Sequence, residues 1–109
     1  MTEAELRSNI DEMVRRIVEQ FHPERVVLFG SCAHGTMGPD SDVDLLVVMD
    51  PLGTRRQAAV AIGLALADRT VPLDVFVVTP RDVEQYRDMI GSVIRPALRE
   101  GKVLFERAA

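Results

Sequence analysis

Two aspartates stand two residues apart at the start of an apolar segment, Asp42-Val-Asp44-Leu-Leu-Val-Val-Met49. In a β-strand such residues point to the same face, so the two carboxylates would lie side by side. Paired carboxylates repel each other and are costly to desolvate unless a cation lies between them. Mg²⁺ prefers oxygen ligands and is commonly held by one or two carboxylates together with substrate phosphates. The pair therefore predicts a Mg²⁺ site, the alternative being a solvent-exposed strand end.

A third aspartate occupies the equivalent position in a later apolar segment, Leu73-Asp74-Val-Phe-Val-Val78. If the two segments form neighbouring parallel strands, all three carboxylates meet at one edge of the sheet. Asp74 could then ligate a metal ion or accept the proton of a hydroxyl group. Taken alone, an acid in the position of Asp74 is more often a plain strand-end or capping residue.

Gly30 and Ser31 follow directly on a third apolar segment, Arg25–Phe29. A glycine at that point lets the backbone turn sharply and approach a ligand closely. If Ser31 begins a helical turn, the free N–H groups and the serine hydroxyl form a pocket for phosphate. The sequence lacks the Gly-Lys-Ser/Thr of a P-loop, so the alternative to this pocket is an ordinary turn.

Hydrophobic periodicity and capping signals place these residues among alternating helices and strands. Strands are predicted at Arg25–Phe29, Asp42–Met49, Leu73–Val78 and Lys102–Glu106. Helices are predicted from about Glu3 to Gln20, from Thr54 to about Asp68 and from Thr79 onwards, with Pro96 and Gly101 punctuating the C-terminal helical stretch and a loop over Cys32–Ser41. This pattern is typical of an α/β or α+β fold with helices packed on a small sheet.

The composition fits a single domain spanning residues 1–109, with 47% hydrophobic residues and a net charge of −4. Because phosphate backbones are gripped by clustered Lys and Arg, this acidic balance disfavours a long nucleic acid as partner. One cysteine excludes an intrachain disulfide. The N-terminal segment has no signal-peptide pattern and no apolar run approaches membrane-spanning length, so a soluble cytoplasmic protein is expected.

The order of these motifs resembles the DNA polymerase β-like nucleotidyltransferase superfamily and is closest to its minimal members, the MNT domains. The motifs read Gly30-Ser31-Cys32-Ala33-His34-Gly35, then Ser41-Asp42-Val43-Asp44-Leu45-Leu46-Val47, then Asp74. The resemblance implies a mixed β-sheet of the polymerase β-like palm type. It also implies that Asp42 and Asp44 bind two Mg²⁺ ions and that Asp74 ligates one and helps to activate an acceptor hydroxyl.

The same resemblance assigns Gly30, Ser31 and Ser41 to nucleotide binding, with ATP as the expected donor. His34 departs from the family pattern, in which arginine is frequent at this position. An arginine would contact phosphate with a permanent charge, whereas His34 would be fully charged only when protonated. The departure bears on nucleotide affinity and leaves the metal ligands unaffected.

Two classes of function follow from the resemblance. The first is an enzyme that transfers a nucleoside monophosphate, AMP from ATP, to a hydroxyl and releases pyrophosphate. The second is a binding module, because MNT-like proteins are often antitoxins encoded beside a helical HEPN-domain toxin, which they neutralise by masking it or by modifying it, for instance by adding AMP to a tyrosine. The presence of all three aspartates favours modification. A modifier of small molecules would need a second lobe, and homo-oligomerisation is left open.

Overall fold

The N-terminal helix forms one wall of the core. The computed structural model of the protein describes residues 2–30 and 42–107. Helix α1 (Glu3–Phe21) begins at Thr2, whose hydroxyl accepts a hydrogen bond from the backbone N–H of Glu5. Its buried stripe consists of Leu6, Ile10, Met13, Val14 and Ile17. The helix ends at His22 in the left-handed region, directly before the buried Pro23.

Four strands form a mixed sheet in the order β3-β2-β1-β4. They are β1 (Arg25–Phe29), β2 (Val43–Val48), β3 (Leu73–Val78) and β4 (Lys102–Glu106). Strand β1 runs antiparallel to both β2 and β4, whereas β2 and β3 are parallel. The sheet is therefore mixed and the fold is α+β, as the sequence motifs led us to expect.

Three shorter helices connect the strands: α2 (Arg55–Ala65), α3 (Pro80–Tyr86) and α4 (Ile94–Glu100). Helices α2 and α3 each begin with a capping box, formed by Thr54 with Gln57 and by Thr79 with Asp82. Such reciprocal bonds satisfy backbone N–H groups that a helix start leaves without partners. Pro96, expected to punctuate the C-terminal helical stretch, lies in the first turn of α4, where proline is tolerated. The stretch consists of two helices, α3 and α4, and Gly91 lies between them with φ +93°.

Both faces of the sheet are covered, but to different extents. Helices α1 and α2 pack on one face, against inward side chains such as Val26, Leu45 and Val77. Part of α4 lies on the opposite face, in a smaller cluster that includes Val27, Leu46 and Ile94. Alternation along each strand therefore decides which side chains reach the second face, where Asp44 and Asp74 also lie. Within the described part of the chain, no helix is long and apolar enough to cross a membrane.

Gly101, between α4 and β4, is expected to be sensitive to substitution. A Cβ atom there would approach Val27 Cγ1 to 2.7 Å and the Leu28 carbonyl oxygen to 2.8 Å, so backbone would have to move. Gly101→Ala should lower the free energy of unfolding by about 1–3 kcal/mol, the usual cost of overpacking. Gly63→Ala is the matched control, because nothing lies within 4 Å of its added Cβ atom.

Gly63 lies inside α2, where alanine is favoured over glycine by roughly 0.5–1 kcal/mol. Urea denaturation should therefore shift in opposite directions for the two variants. Coincident unfolding curves would contradict the tight approach of α4 to β1.

Candidate active site

Asp44 and Asp74 lie beside each other on adjacent parallel strands. They are direct register partners of β2 and β3, although thirty positions separate them in the sequence. Asp42 immediately precedes β2 and is exposed, Asp44 is half-buried and Asp74 is exposed. The parallel pairing that the three-carboxylate hypothesis required is therefore present, and it brings Asp44 and Asp74 to the same end of the sheet.

The environment of Asp44 disfavours its negative charge. Burial raises the pKa of the Asp44 carboxyl, and the negative charges of Asp74 and Asp42 raise this pKa further. A hydrogen bond with the Asp74 side chain acts in the same direction, because it favours the protonated form of Asp44. A cation placed at these carboxylates would remove the repulsion and favour the ionised form.

The donor set fits Mg²⁺ as an ion that is completed by substrate. Among residues 2–30 and 42–107, no three His, Cys, Asp or Glu side chains converge into a ready-made metal site. Asp44 and Asp74 supply two neighbouring carboxylates with mutual repulsion to be relieved. Mg²⁺ is usually bound by one or two carboxylates, with water and substrate phosphates as the remaining ligands. The pair therefore matches an ion that enters with a nucleotide.

Gly30 lies against the carboxylate of Asp44. It follows β1 with φ +77°, in the left-handed region that glycine adopts without strain. A Cβ atom at this position would collide with Asp44 Oδ2. Glycine therefore suits the sharp turn after β1, as the sequence analysis expected, and also leaves room for the observed position of the Asp44 side chain, which the sequence did not indicate.

An aromatic pair, Phe29 and Phe76, borders the carboxylates on the same face of the sheet. Phe29 is the register partner of Asp44, and Phe76 lies two residues beyond Asp74 on β3. The ring centroids are 5.5 Å apart, with an interplanar angle of 57°. The sequence analysis did not single out this pair, although the alternation in Leu73–Val78 already places Asp74 and Phe76 on one face.

Four further residues of interest fall outside the described part of the chain. They are Ser31 and Ser41, predicted to bind nucleotide, Cys32 and the unusual His34. Their predicted roles rest on the sequence motifs.

Substitution of Gly30 should damage the site more than the fold. In Gly30→Ala the methyl group would displace the Asp44 carboxylate, while the left-handed backbone would cost roughly 1–2 kcal/mol. We expect a protein that folds but has lost most of its Mg²⁺-dependent nucleotide binding, as measured by calorimetric titration. Gly53→Ala provides a control, because Gly53 also has a positive φ (+117°) but lies in the turn before α2, against Gln57. Equal loss of nucleotide binding in both variants would contradict the link between Gly30 and Asp44.

Comparison with known proteins relates most of the chain to one family. Residues 10–106 match the nucleotidyltransferase domain family. This span contains both aspartate-bearing strands and all residues that the motifs single out. No curated protein matches the chain.

Solved structures share the fold at low sequence identity. A provisionally assigned nucleotidyltransferase from Sulfolobus solfataricus has a TM-score of 0.62 and 19% identity, covering 96% of this chain and 84% of that one. A toxin–antitoxin structure with AMP-PNP has a TM-score of 0.55 and 22% identity, covering 89% of this chain and 73% of that one. A mutant of the toxin–antitoxin MntA–HpeT reaches a TM-score of 0.46 at 20% identity, covering 98% and 75% of the respective chains.

Proposed function

The chain belongs to the nucleotidyltransferase domain family, and from this premise we propose that it is a Mg²⁺-dependent nucleotidyltransferase that transfers AMP from ATP to a hydroxyl group of a partner protein. The observation that carries the proposal is the side-by-side placement of Asp44 and Asp74 on β2 and β3. Burial and neighbouring negative charge raise the pKa of Asp44, so this arrangement is unfavourable for a purely structural role. A carboxylate pair of this kind is typical of a functional site.

Asp42 and Asp44 are proposed to hold Mg²⁺, with Asp74 as a further ligand. The bound ions would neutralise charge on the phosphates and on the attacking and leaving oxygens. The protein itself contributes the fixed spacing of its carboxylates. Because both β2 and β3 are hydrogen-bonded along their whole length, Asp44 and Asp74 are held on rigid elements.

Asp74 is the proposed proton acceptor in the transfer step. Its carboxylate takes the proton of the acceptor hydroxyl as the hydroxyl oxygen forms a bond to the α-phosphorus of ATP. The bond between the α-phosphorus and the bridging oxygen breaks, and pyrophosphate leaves with that electron pair. The exposure of Asp74 suits this role, since an acceptor group must reach it from solvent.

Gly30, Ser31 and Ser41 are proposed to bind the nucleotide phosphates. Gly30 turns the backbone at the end of β1 directly beside Asp44, so a phosphate bound at Gly30 would lie close to the proposed metal ligands. The choice of ATP is supported by the toxin–antitoxin structure of the same fold that was solved with AMP-PNP.

The acceptor is proposed to lie on a helical toxin of the HEPN type, for which this chain would be the antitoxin. A solved structure of the same fold, with a TM-score of 0.55, is that of a toxin–antitoxin. The chain also exposes large apolar side chains away from the carboxylates, among them Leu64 and Ile90, which are 72% and 83% exposed. Apolar side chains of this size at the surface are suited to contact with another protein.

The experiment that tests the proposal measures the mass of the partner. The protein encoded by the neighbouring reading frame is co-expressed with the chain, purified, and incubated with ATP and Mg²⁺. We expect its intact mass to increase by one or more AMP groups with the parent chain and to stay unchanged with Asp44→Asn.

A masking antitoxin would behave differently. If the parent and Asp44→Asn neutralise the partner equally and neither adds mass, the enzymatic proposal is wrong and the chain is a binding module. Toxin activity measured at equal concentrations of the two variants separates these outcomes.

A further inference from the structure

Phe76 occupies a position next to the carboxylates that the proposed chemistry does not yet use. It lies on the same face of β3 as Asp74, two residues further along the strand and therefore about 6.6 Å away. Its side chain is 38% exposed, whereas its register partner on β2, Leu46, is completely buried. An exposed aromatic ring thus borders the one acidic side chain that an acceptor hydroxyl has to reach.

The ring of Phe76 is held in place by Phe29. Strand β2 lies between the strands that carry the two residues, so the rings meet across β2 with centroids 5.5 Å apart. Tilted ring pairs at such distances are favourable and restrict the orientation of both rings. One side of Phe76 is therefore fixed, and its exposed part forms a firm apolar surface beside Asp74.

We propose that Phe76 is a specificity-determining residue that packs against the body of the acceptor and favours a hydroxyl carried by an aromatic ring over one carried by a small aliphatic side chain. This rests on the proposed function, because Asp74 is the point at which the acceptor hydroxyl must arrive. An aromatic ring can stack on Phe76 or meet it edge to face while its hydroxyl points towards Asp74. A serine hydroxyl at Asp74 brings no ring and gains nothing from this surface.

The structural alternative is that Phe76 only shields Leu46. Phe76→Ala would then lower the stability of the sheet and reduce all activities alike, because the carboxylates would be displaced. A specificity role predicts instead that only one class of acceptor suffers. Phe76→Tyr and Phe76→Leu separate aromatic stacking from simple coverage, since leucine covers Leu46 but offers no ring.

Two short peptides that differ only in one residue, tyrosine or serine, serve as probes for the acceptor. With ATP and Mg²⁺, we expect Phe76→Ala to lower kcat/KM for the tyrosine peptide by about three- to tenfold, mainly through KM. The rate with the serine peptide and the affinity for a non-hydrolysable ATP analogue should change little. Phe76→Tyr should retain the parent's preference for the tyrosine peptide, whereas Phe76→Leu should lose it as Phe76→Ala does. Val60→Ala, which alters an exposed side chain of α2, the helix that covers the other face of the sheet, is the control and should leave the preference unchanged.

Three outcomes would overturn the proposal. In the first, Phe76→Ala lowers kcat/KM equally for both peptides, and in the second, Phe76→Leu prefers the tyrosine peptide as strongly as the parent does. In the third, Phe76→Ala lowers only the affinity for the ATP analogue, which would mean that the ring contacts the base of the nucleotide. NMR titration can measure the binding of the two peptides at equilibrium, in the presence of Mg²⁺ and the ATP analogue. This measurement requires no turnover. If the parent transfers AMP to neither peptide, the binding data still decide on Phe76. Tighter binding of the tyrosine peptide that is lost in Phe76→Ala supports it, and equal binding refutes it. The enzymatic proposal is judged separately by the mass of the partner.

Discussion

Replacing Asp44 with asparagine is expected to abolish Mg²⁺-dependent transfer and, at the same time, to stabilise the metal-free protein. Charge stabilisation by bound metal contributes several kcal/mol to a transition state, and about 1.4 kcal/mol corresponds to a factor of ten in rate. The loss should therefore be on the order of 10³-fold or more. The stabilisation arises because asparagine is neutral and its amide can donate a hydrogen bond to Asp74, with which Asp44 is in register.

The sign of the stability change follows from the pKa of Asp44, which is raised in the folded state by burial and by Asp74 and Asp42. A raised pKa means that ionised Asp44 destabilises the folded state at neutral pH. This destabilisation decreases as the pH falls through the folded-state pKa and is gone below the unfolded value. The stability advantage of Asp44→Asn should therefore be largest at neutral pH and vanish in acid.

Thermal unfolding between pH 3 and 8 in the presence of a chelator measures this effect. Addition of Mg²⁺ with an ATP analogue should raise the Tm of the parent but not that of Asp44→Asn. Asp88→Asn, which alters an exposed acid after α3, is the control and should behave like the parent. If Asp44→Asn is less stable than the parent at neutral pH, then ionised Asp44 does not destabilise the folded state, and the inferred repulsion between Asp44 and Asp74 is refuted. If the Asp42→Asn, Asp44→Asn double variant binds Mg²⁺ and nucleotide with unchanged affinity, these residues are not the metal ligands.

Replacing Asp74 with asparagine is expected to separate nucleotide binding from chemistry. As proton acceptor for the attacking hydroxyl, Asp74 should contribute about 10²–10⁴-fold to the rate. Nucleotide affinity should fall much less, because Asp42 and Asp44 remain to hold the metal. Single-turnover transfer and calorimetric titration with an ATP analogue measure the two quantities independently.

The relative size of the two losses decides the role of Asp74. Transfer at nearly the parental rate would show that Asp74 is only an acid at the start of a strand. An equal loss of affinity and rate would assign it to metal binding alone.

The sequence by itself determined most of the local elements of this protein. The stripe from Leu6 to Ile17 and the Thr2 cap gave α1 to within one residue at its end. Strands β1, β3 and β4 have the predicted bounds, and β2 is one residue shorter than predicted at each end. These features depend on side chains only a few positions apart, so short-range periodicity and capping are enough to specify them. The motifs that contain Gly30, Asp42, Asp44 and Asp74 also resemble those of the nucleotidyltransferases, and the family match over residues 10–106 confirmed this resemblance.

Helix ends and the C-terminal helical stretch were predicted less well. The helix after Thr54 was expected to extend to about Asp68, but α2 ends at Ala65. The buried Leu66 and Val71 instead anchor the chain that leads into β3. The free energy gained by burying Leu66 and Val71 in the core outweighs the helical preference of the residues between them. The separation of α3 from α4 at Gly91 has a similar origin, since Ile94 and Ala97 are drawn onto the sheet.

Only the tertiary structure decided how the chemically important side chains meet. The sequence shows that Asp44 and Asp74 occupy equivalent positions in β2 and β3. Their exact register, across a separation of thirty positions in the sequence, is set by the burial of Val43, Leu45 and Val77 under α1 and α2. A shift of one residue would turn these apolar side chains outwards and Asp74 inwards, which burial forbids. The contact of Phe29 with Phe76 depends on β2 lying between their strands, and the strand order β3-β2-β1-β4 is not encoded in any local pattern. The sequence therefore specified which groups are available, and long-range packing of the sheet specified their distances.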